Sequence, residues 1–248
     1  RLEIIDGKAE AELAAIGCGS LFDDKVDDII LYDIGGGSTE ISRLSRQVSP
    51  HTANGDFFKL VDSVSVPGGG VRLSERHAGP GPYEHGYEGM LQESHDRLQA
   101  FMARQSDMVD MSRVQIIGTS GTVTTLAAVQ LGLARYDRNV VDGCKITAEN
   151  IKTVIGNLRQ MRRDQLAENP CIGAQRADLV LSGCAVLEAI HTRWPVAQVS
   201  VADRGLREGL LLRMIKKDMR RNRRNRSNRS RRRSSGSPNA ETSQAPKG

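Results

Sequence analysis

No apolar run in the 248-residue sequence approaches the ~18 residues that a membrane-spanning helix needs. Its opening stretch, Arg1 to Glu12, has no apolar core of the kind a signal peptide carries. Cysteine is sparse. Cys18, Cys144, Cys171 and Cys184 are scattered with no CxxC spacing, which argues against a zinc site and a disulfide framework and points to reduced thiols in a cytoplasm. No glycine cluster runs into Gly-Lys-Ser/Thr, so there is no Walker loop, and the dinucleotide fingerprint is also absent. His51, His77, His85, His95 and His191 lack the spacing of metal ligands and read as surface or hydrogen-bonded residues. Trp194, beside Pro195, reads as a packing residue that closes a helix.

Acidic charge is scarce only at one end. From Lys216 to Gly248 there are twelve Lys/Arg against two acidic residues, a net +10. The remainder holds 23 basic and 28 acidic residues, a net −5, so the overall +5 belongs to the tail and says little about the body's ligand. Beyond Arg220 the text is Arg/Asn/Ser and then Ser/Pro/Gly, a composition that cannot bury a core of its own. The expected organisation is therefore a folded region at 1–215 and a basic disordered tail at 216–248.

The body reads as strands alternating with helices, an α/β pattern. Strands are expected at Arg1–Ile5, Ile29–Tyr32, Glu40–Leu44, Leu60–Val66, Val114–Ile117 and Gln198–Ala202. Helices are expected at Lys8–Cys18, His85–Arg104, Val123–Leu131, Ala148–Met161, Gln175–Arg193 and Leu206–Met214.

The strongest local signal is Asp33-Ile34-Gly35-Gly36-Gly37-Ser38-Thr39-Glu40. A buried strand delivers a carboxylate, three glycines let the backbone turn and approach a ligand, and successive N–H groups can form an anion nest. Ser38 and Thr39 add hydroxyl donors, and Asp33 and Glu40 suit a hard cation such as Mg²⁺, held directly or through water. A glycine-rich hairpin turn is the alternative. A second turn, Gly118-Thr119-Ser120-Gly121-Thr122, also follows a buried strand and opens a helix, whose N-terminal amides attract anions. An ordinary Ser/Thr-capped turn is its alternative. Two such turns, one bearing a carboxylate, suggest a split phosphate clamp. Gly68-Gly69-Gly70 has no preceding carboxylate and reads as a loop leading into a helix around Leu73–His77.

Together these motifs resemble the Ppx/GppA phosphatase family of the actin–hexokinase–Hsp70 fold. The resemblance rests on residues 33–40, on Ile4 to Ala11, on Val66 to Val71, on the 118–122 turn, on Tyr136-Asp137-Arg138 through Asp142-Gly143, and on Ala202 to Gly209. It covers about residues 1 to 214, and the wording of 118–143 and 169–190 is most similar to alphaproteobacterial members. It implies an α/β, ribonuclease H-like domain, the second of the family's two, with the first largely absent before Arg1. By matched position it implies Glu10 as general base, Asp33 and Glu40 as magnesium ligands, and Gly35, Gly36, Gly37 and Ser38 as the phosphate loop. Gly118, Thr119, Ser120 and Gly121 match the loop facing the interdomain cleft. Ala9 and Asp6 depart from the family's usual Glu and Ser.

The activity implied is Mg²⁺-dependent hydrolysis of a terminal phosphoanhydride of polyphosphate or guanosine pentaphosphate, with water activated by Glu10. The alternative is a module that binds polyphosphate or a nucleotide without turnover, since the family's first phosphate loop does not precede Arg1. Partners on this reading are the phosphate substrate and a second copy of the chain in a homodimer. The tail adds non-specific contact with a polyanion or RNA, and no membrane is involved.

Overall fold

The computed structural model describes residues 4–48, 56–77, 84–105 and 110–234. The chain divides into two compact units, Arg1–Leu210 and Leu211–Gly248. The first is built on a six-stranded mixed sheet in the order β3-β2-β1-β4-β6-β5. Its strands are β1 (Asp28–Ile34), β2 (Ser38–Val48), β3 (Asp56–Pro67), β4 (Val114–Thr119), β5 (Lys145–Thr147) and β6 (Gln198–Ala202). An antiparallel meander, β1-β2-β3, joins the parallel trio β1, β4 and β6, and short β5 closes the far edge antiparallel to β6.

Period-two alternation in β1 sends side chains to both faces. Ile30, Tyr32 and Ile34 join the larger core, while Ile29 and Leu31 join a smaller one with Ala15, Cys18, Leu44 and Ile117. The larger core takes residues from α2 (Gly70–His77), α3 (Glu84–Ala103), α4 (Ser120–Gln130), α6 (Ala148–Arg159) and α8 (Val180–Arg193). Short α5 (Arg138–Val141) and α7 (Arg163–Glu168) lie between them in sequence. The smaller core is covered by α1 (Gly7–Cys18). Asp6 caps α1 by accepting from the Ala9 amide at 2.7 Å.

The last helix, α9, spans Leu206–Ser234. Its first turn meets α1 almost backbone to backbone. A Cβ on Gly17 would collide with the Gly205 carbonyl, and one on Gly209 with the Leu13 carbonyl. Glycine at these positions lets the helices touch.

Several expectations are corrected. Ile4 and Ile5 are exposed and not in a strand, while Arg1 to Glu3 lie outside the described residues. A short apolar run needs a partner strand to hold it, and among the described residues none pairs with Ile4 and Ile5. The helix expected from Gln175 begins at Val180, because 170–179 is taken up by turns around Gly173, whose φ is +72°. Residues 216–234 of the expected disordered tail are helical, and 235–248 lie outside the described residues. Arg and Lys are good helix formers, and no Gly or Pro intervenes before Gly236. Among the described residues no helix is long and apolar enough to cross a membrane.

Candidate active site

Strand register assembles the site. Asp33 on β1 stands opposite Glu40 on β2, and Glu40 stands opposite Ser65 on β3. On the other side Asp33 pairs with Thr119 of β4, which pairs with Ala202 of β6. One lateral row thus runs Ser65, Glu40, Asp33, Thr119, Ala202 across five strands. Directly paired residues project to the same face. For Asp33 and Glu40 that is the face of Ile29 and Leu31, the one α1 covers, and α1 brings Glu10 to it.

Neighbouring carboxylate charge bears on Asp33 and on Glu10. Burial pushes Asp33 up to about 6, and the charges of Glu40 and Glu10 push the same way, against the lowering effect of the nearby Ser120 hydroxyl. Burial, then Glu40, raises Glu10. Glu40 accepts a 2.8 Å hydrogen bond from the Ser65 hydroxyl. Cys18 lies near Asp33, and burial pushes its thiol up to about 12, so it is no nucleophile.

The 35–37 turn is a hairpin closed by Gly35 N–H to the Ser38 carbonyl at 3.0 Å. All three glycine carbonyls are taken up by the segment that follows β3. Gly68 N–H donates to Gly37 (3.0 Å), Gly70 to Gly35 (2.9 Å) and Val71 to Gly36 (2.9 Å). This clasp turns the carbonyls inward. A Cβ on Gly69 would sit 2.7 Å from the Ser38 nitrogen and closer still to the Gly35 carbonyl. Gly68–Gly70 is therefore part of the site, not only a lead into α2.

The second turn is also specialised. Ser120, the first residue of α4, holds φ +78°, a left-handed backbone rare outside glycine. Its hydroxyl donates to the Ile34 carbonyl at 2.6 Å, tying the second turn to the first. Thr119 donates to the Arg204 carbonyl at 2.8 Å, and Gly118 makes room for the Tyr32 ring. Arg176 lies along Gly121 and donates to Thr125 at 2.7 Å, putting a cation at the mouth of the turn. A cavity of about 570 Å³ opens from Asp33, Ser120 and Gly121 toward Tyr136, Arg176 and Arg207. A smaller one of about 180 Å³ runs past Gly35, Gly36 and Ser120.

Behind the turns, Asp142 forms a salt bridge with Arg204 and accepts from the Asp203 amide, and the Tyr136 hydroxyl donates to Asp203 at 2.6 Å. This network fastens the 136–143 segment to the start of α9.

The residues singled out in the sequence come together with one exception. Thr39 faces the larger core beside Ile34 and Val66, is 2 % exposed, and its hydroxyl has no hydrogen-bond partner among the described residues. Sequence reasoning missed Ser65, Arg176 and the Gly68–Gly70 clasp. The clasp alone had a signal, three glycines directly after a strand. Of the histidines, His191 is half-buried against the Tyr32 hydroxyl (3.1 Å) and desolvation pulls it down to about 4, while His77 pairs with Glu93. His51 lies outside the described residues. Trp194 packs edge-on against Phe101.

Comparison with known proteins follows the same lines. The sequence profile of the Ppx/GppA phosphatase family matches residues 1–218. Exopolyphosphatase 2 of Mycobacterium tuberculosis is 27% identical over 216 residues, which is 85% of this chain and 63% of that protein. Among solved structures, an exopolyphosphatase-like protein superposes with a TM-score of 0.72 at 27% identity, covering 86% of this chain and 67% of that one. The Aquifex aeolicus Ppx/GppA family member superposes with a TM-score of 0.70 at 25% identity, covering 87% and 65%. The chain thus spans less than two thirds of the length of its M. tuberculosis relative. The fold is the actin–hexokinase–Hsp70 type that the sequence implied.

Proposed function

The chain belongs to the Ppx/GppA phosphatase family, and from that premise we propose that it hydrolyses the terminal phosphoanhydride of inorganic polyphosphate or guanosine pentaphosphate with the help of Mg²⁺. The observation that carries this reading is the lateral row of Glu40 and Asp33 beneath Glu10, flanked by two strand-end turns rich in glycine.

Asp33 and Glu40, directly paired on neighbouring strands, offer oxygen donors of the kind a hard cation takes. Among the described residues no three His, Cys, Asp or Glu side chains converge on a metal-binding point, so the donor set is this pair. That fits Mg²⁺, which is held by one or two carboxylates plus substrate phosphates and keeps several waters. When bound, the cation would neutralise charge developing on the phosphoryl oxygens.

The chain's own residues do the rest. Glu10, raised by burial and by Glu40, is poised to accept a proton from the attacking water. The N-terminus of α4 and the Arg176 guanidinium attract the phosphoryl group at the 118–121 turn. The Gly68–Gly70 clasp holds the 35–37 turn at fixed geometry. Free cysteines, all buried or half-buried, suit a cytoplasmic setting.

The test is phosphate release from polyphosphate and guanosine pentaphosphate across a Mg²⁺ titration, in wild type and Asp33→Asn. Wild type should show Mg²⁺-dependent release and thermal stabilisation by Mg²⁺, with both lost in the variant. Unchanged turnover in Asp33→Asn would refute the assignment.

A further inference from the structure

The basic segment of α9 belongs to the second compact unit, and none of the site residues named above comes from it. We infer that it is a capture helix for long polyphosphate, which makes the polymer, not the nucleotide, the substrate of the site. This inference rests on the phosphoanhydride reading above.

From Lys216 to Arg233 there are eleven basic residues and one acidic, a net +10. These 18 residues lie within a single helix, α9. At a rise of ~1.5 Å per residue they span about 27 Å, or roughly one net positive charge per 2.7 Å. That density lies between the spacings of about 3.4 Å for one nucleic-acid strand and about 1.7 Å for a duplex. It matches a linear polyanion and far exceeds what a small nucleotide can neutralise. Arginine supplies nine of the eleven cations, and its planar fork engages phosphate oxygens in pairs.

Two features narrow the partner. No aromatic residue occurs from Lys216 to Gly248, so the base stacking that sustains single-stranded nucleic-acid binding is unavailable. No apolar residue occurs between Met219 and Ala240, so the helix has no apolar face to lay into a bilayer beyond its first turns. What remains is contact with phosphate alone, and polyphosphate consists of nothing else. Like charges three and four residues apart also destabilise a helix, and a bound polyanion removes that repulsion. The body, at −5, repels a polyanion at long range, so the segment also offsets an unfavourable approach to the site.

The experiment compares the full chain with a variant carrying Arg→Gln at 220, 221, 223, 224, 226, 229, 231, 232 and 233, which keeps helix propensity and removes charge. Affinities for long-chain polyphosphate, tripolyphosphate and a uridine homopolymer RNA are measured between 50 and 300 mM salt, with phosphate release measured alongside. In the variant, long-polyphosphate affinity should fall at least tenfold and its salt slope by roughly 3–4, as about five contacts are lost. Tripolyphosphate binding and release should be unchanged. Equal affinity and slope in the two proteins would overturn the proposal. So would RNA binding at least tenfold tighter than polyphosphate and displacing it, which would make the helix a nucleic-acid element. Absence of phosphate release from every substrate, with long-polyphosphate capture intact, would refute the catalytic reading and leave the capture helix standing.

Discussion

Replacing Asp33 with Asn should stabilise the ligand-free protein, and the gain should switch on with pH. Asp33 is pushed up to about 6 from an ordinary 3.8, first by burial and then by Glu40 and Glu10. A carboxyl whose folded value is raised costs stability once it is ionised. Below pH 3.8 both folded and unfolded forms are protonated and the cost is absent. Between 3.8 and 6 the unfolded chain releases its proton first, so stability falls as pH rises. Above 6 the full cost remains, about two pH units at ~1.36 kcal/mol each, or about 3 kcal/mol. Asn is nearly isosteric with Asp and carries no charge. At pH 8 without divalent ions, Asp33→Asn should therefore raise the unfolding free energy by up to about 3 kcal/mol. At roughly 2–4 °C per kcal/mol that is a Tm gain of about 6–12 °C. Urea titrations from pH 4 to 8 give the profile. A variant less stable than wild type at pH 8, or a gain independent of pH, would refute the claim that three carboxylates crowd one desolvated site.

Other consequences follow from the same geometry. Gly69→Ala forces a methyl group onto the Gly35 carbonyl and Ser38 nitrogen, so it should cost about 1–3 kcal/mol in thermal unfolding and weaken phosphate binding at the 35–37 turn. His191 sits at about 4 against 6.5 when unfolded, so its contribution is complete above pH 6.5 and is lost as pH falls toward 4. His191→Gln should therefore narrow its stability gap to wild type by up to about 3 kcal/mol over that window; a constant gap in denaturant titrations would show His191 is not held neutral.

Much of the sheet was legible because its strands are short apolar runs ending in glycine turns, as at Ile29–Tyr32 and Val114–Ile117. Three-residue β5 was not, since Lys145–Thr147 is too brief for any period to show. The residues of the site could be named from the two turns, but not their arrangement. Glu40 falls beside Asp33 through the register of the 35–37 hairpin, and Ser65 falls beside Glu40 only through pairing with the more distant β3. Thr39 misled for the same reason, since one position along β2 reverses the face. Arg176 had no local signal at all; it reaches Gly121 from a turn more than fifty residues downstream. The Ala202–Gly209 stretch stands out as a pattern in the sequence, and the structure supplies a reason for its last glycine. Gly209, together with Gly17 of α1, lets the two helices touch, and so fixes the helix that carries Glu10. The tail was misjudged because low hydrophobicity excludes a core but does not exclude a single helix.

The most direct test of the account is the rate of phosphate release by Glu10→Gln under saturating Mg²⁺ and polyphosphate. Gln preserves the shape of α1 and removes the proton acceptor. The account predicts a kcat lower by ~10²–10⁴ with substrate affinity and thermal stability close to wild type. A kcat within threefold of wild type would contradict it, because the base would then be another residue and the carboxylate row would not be the catalytic centre.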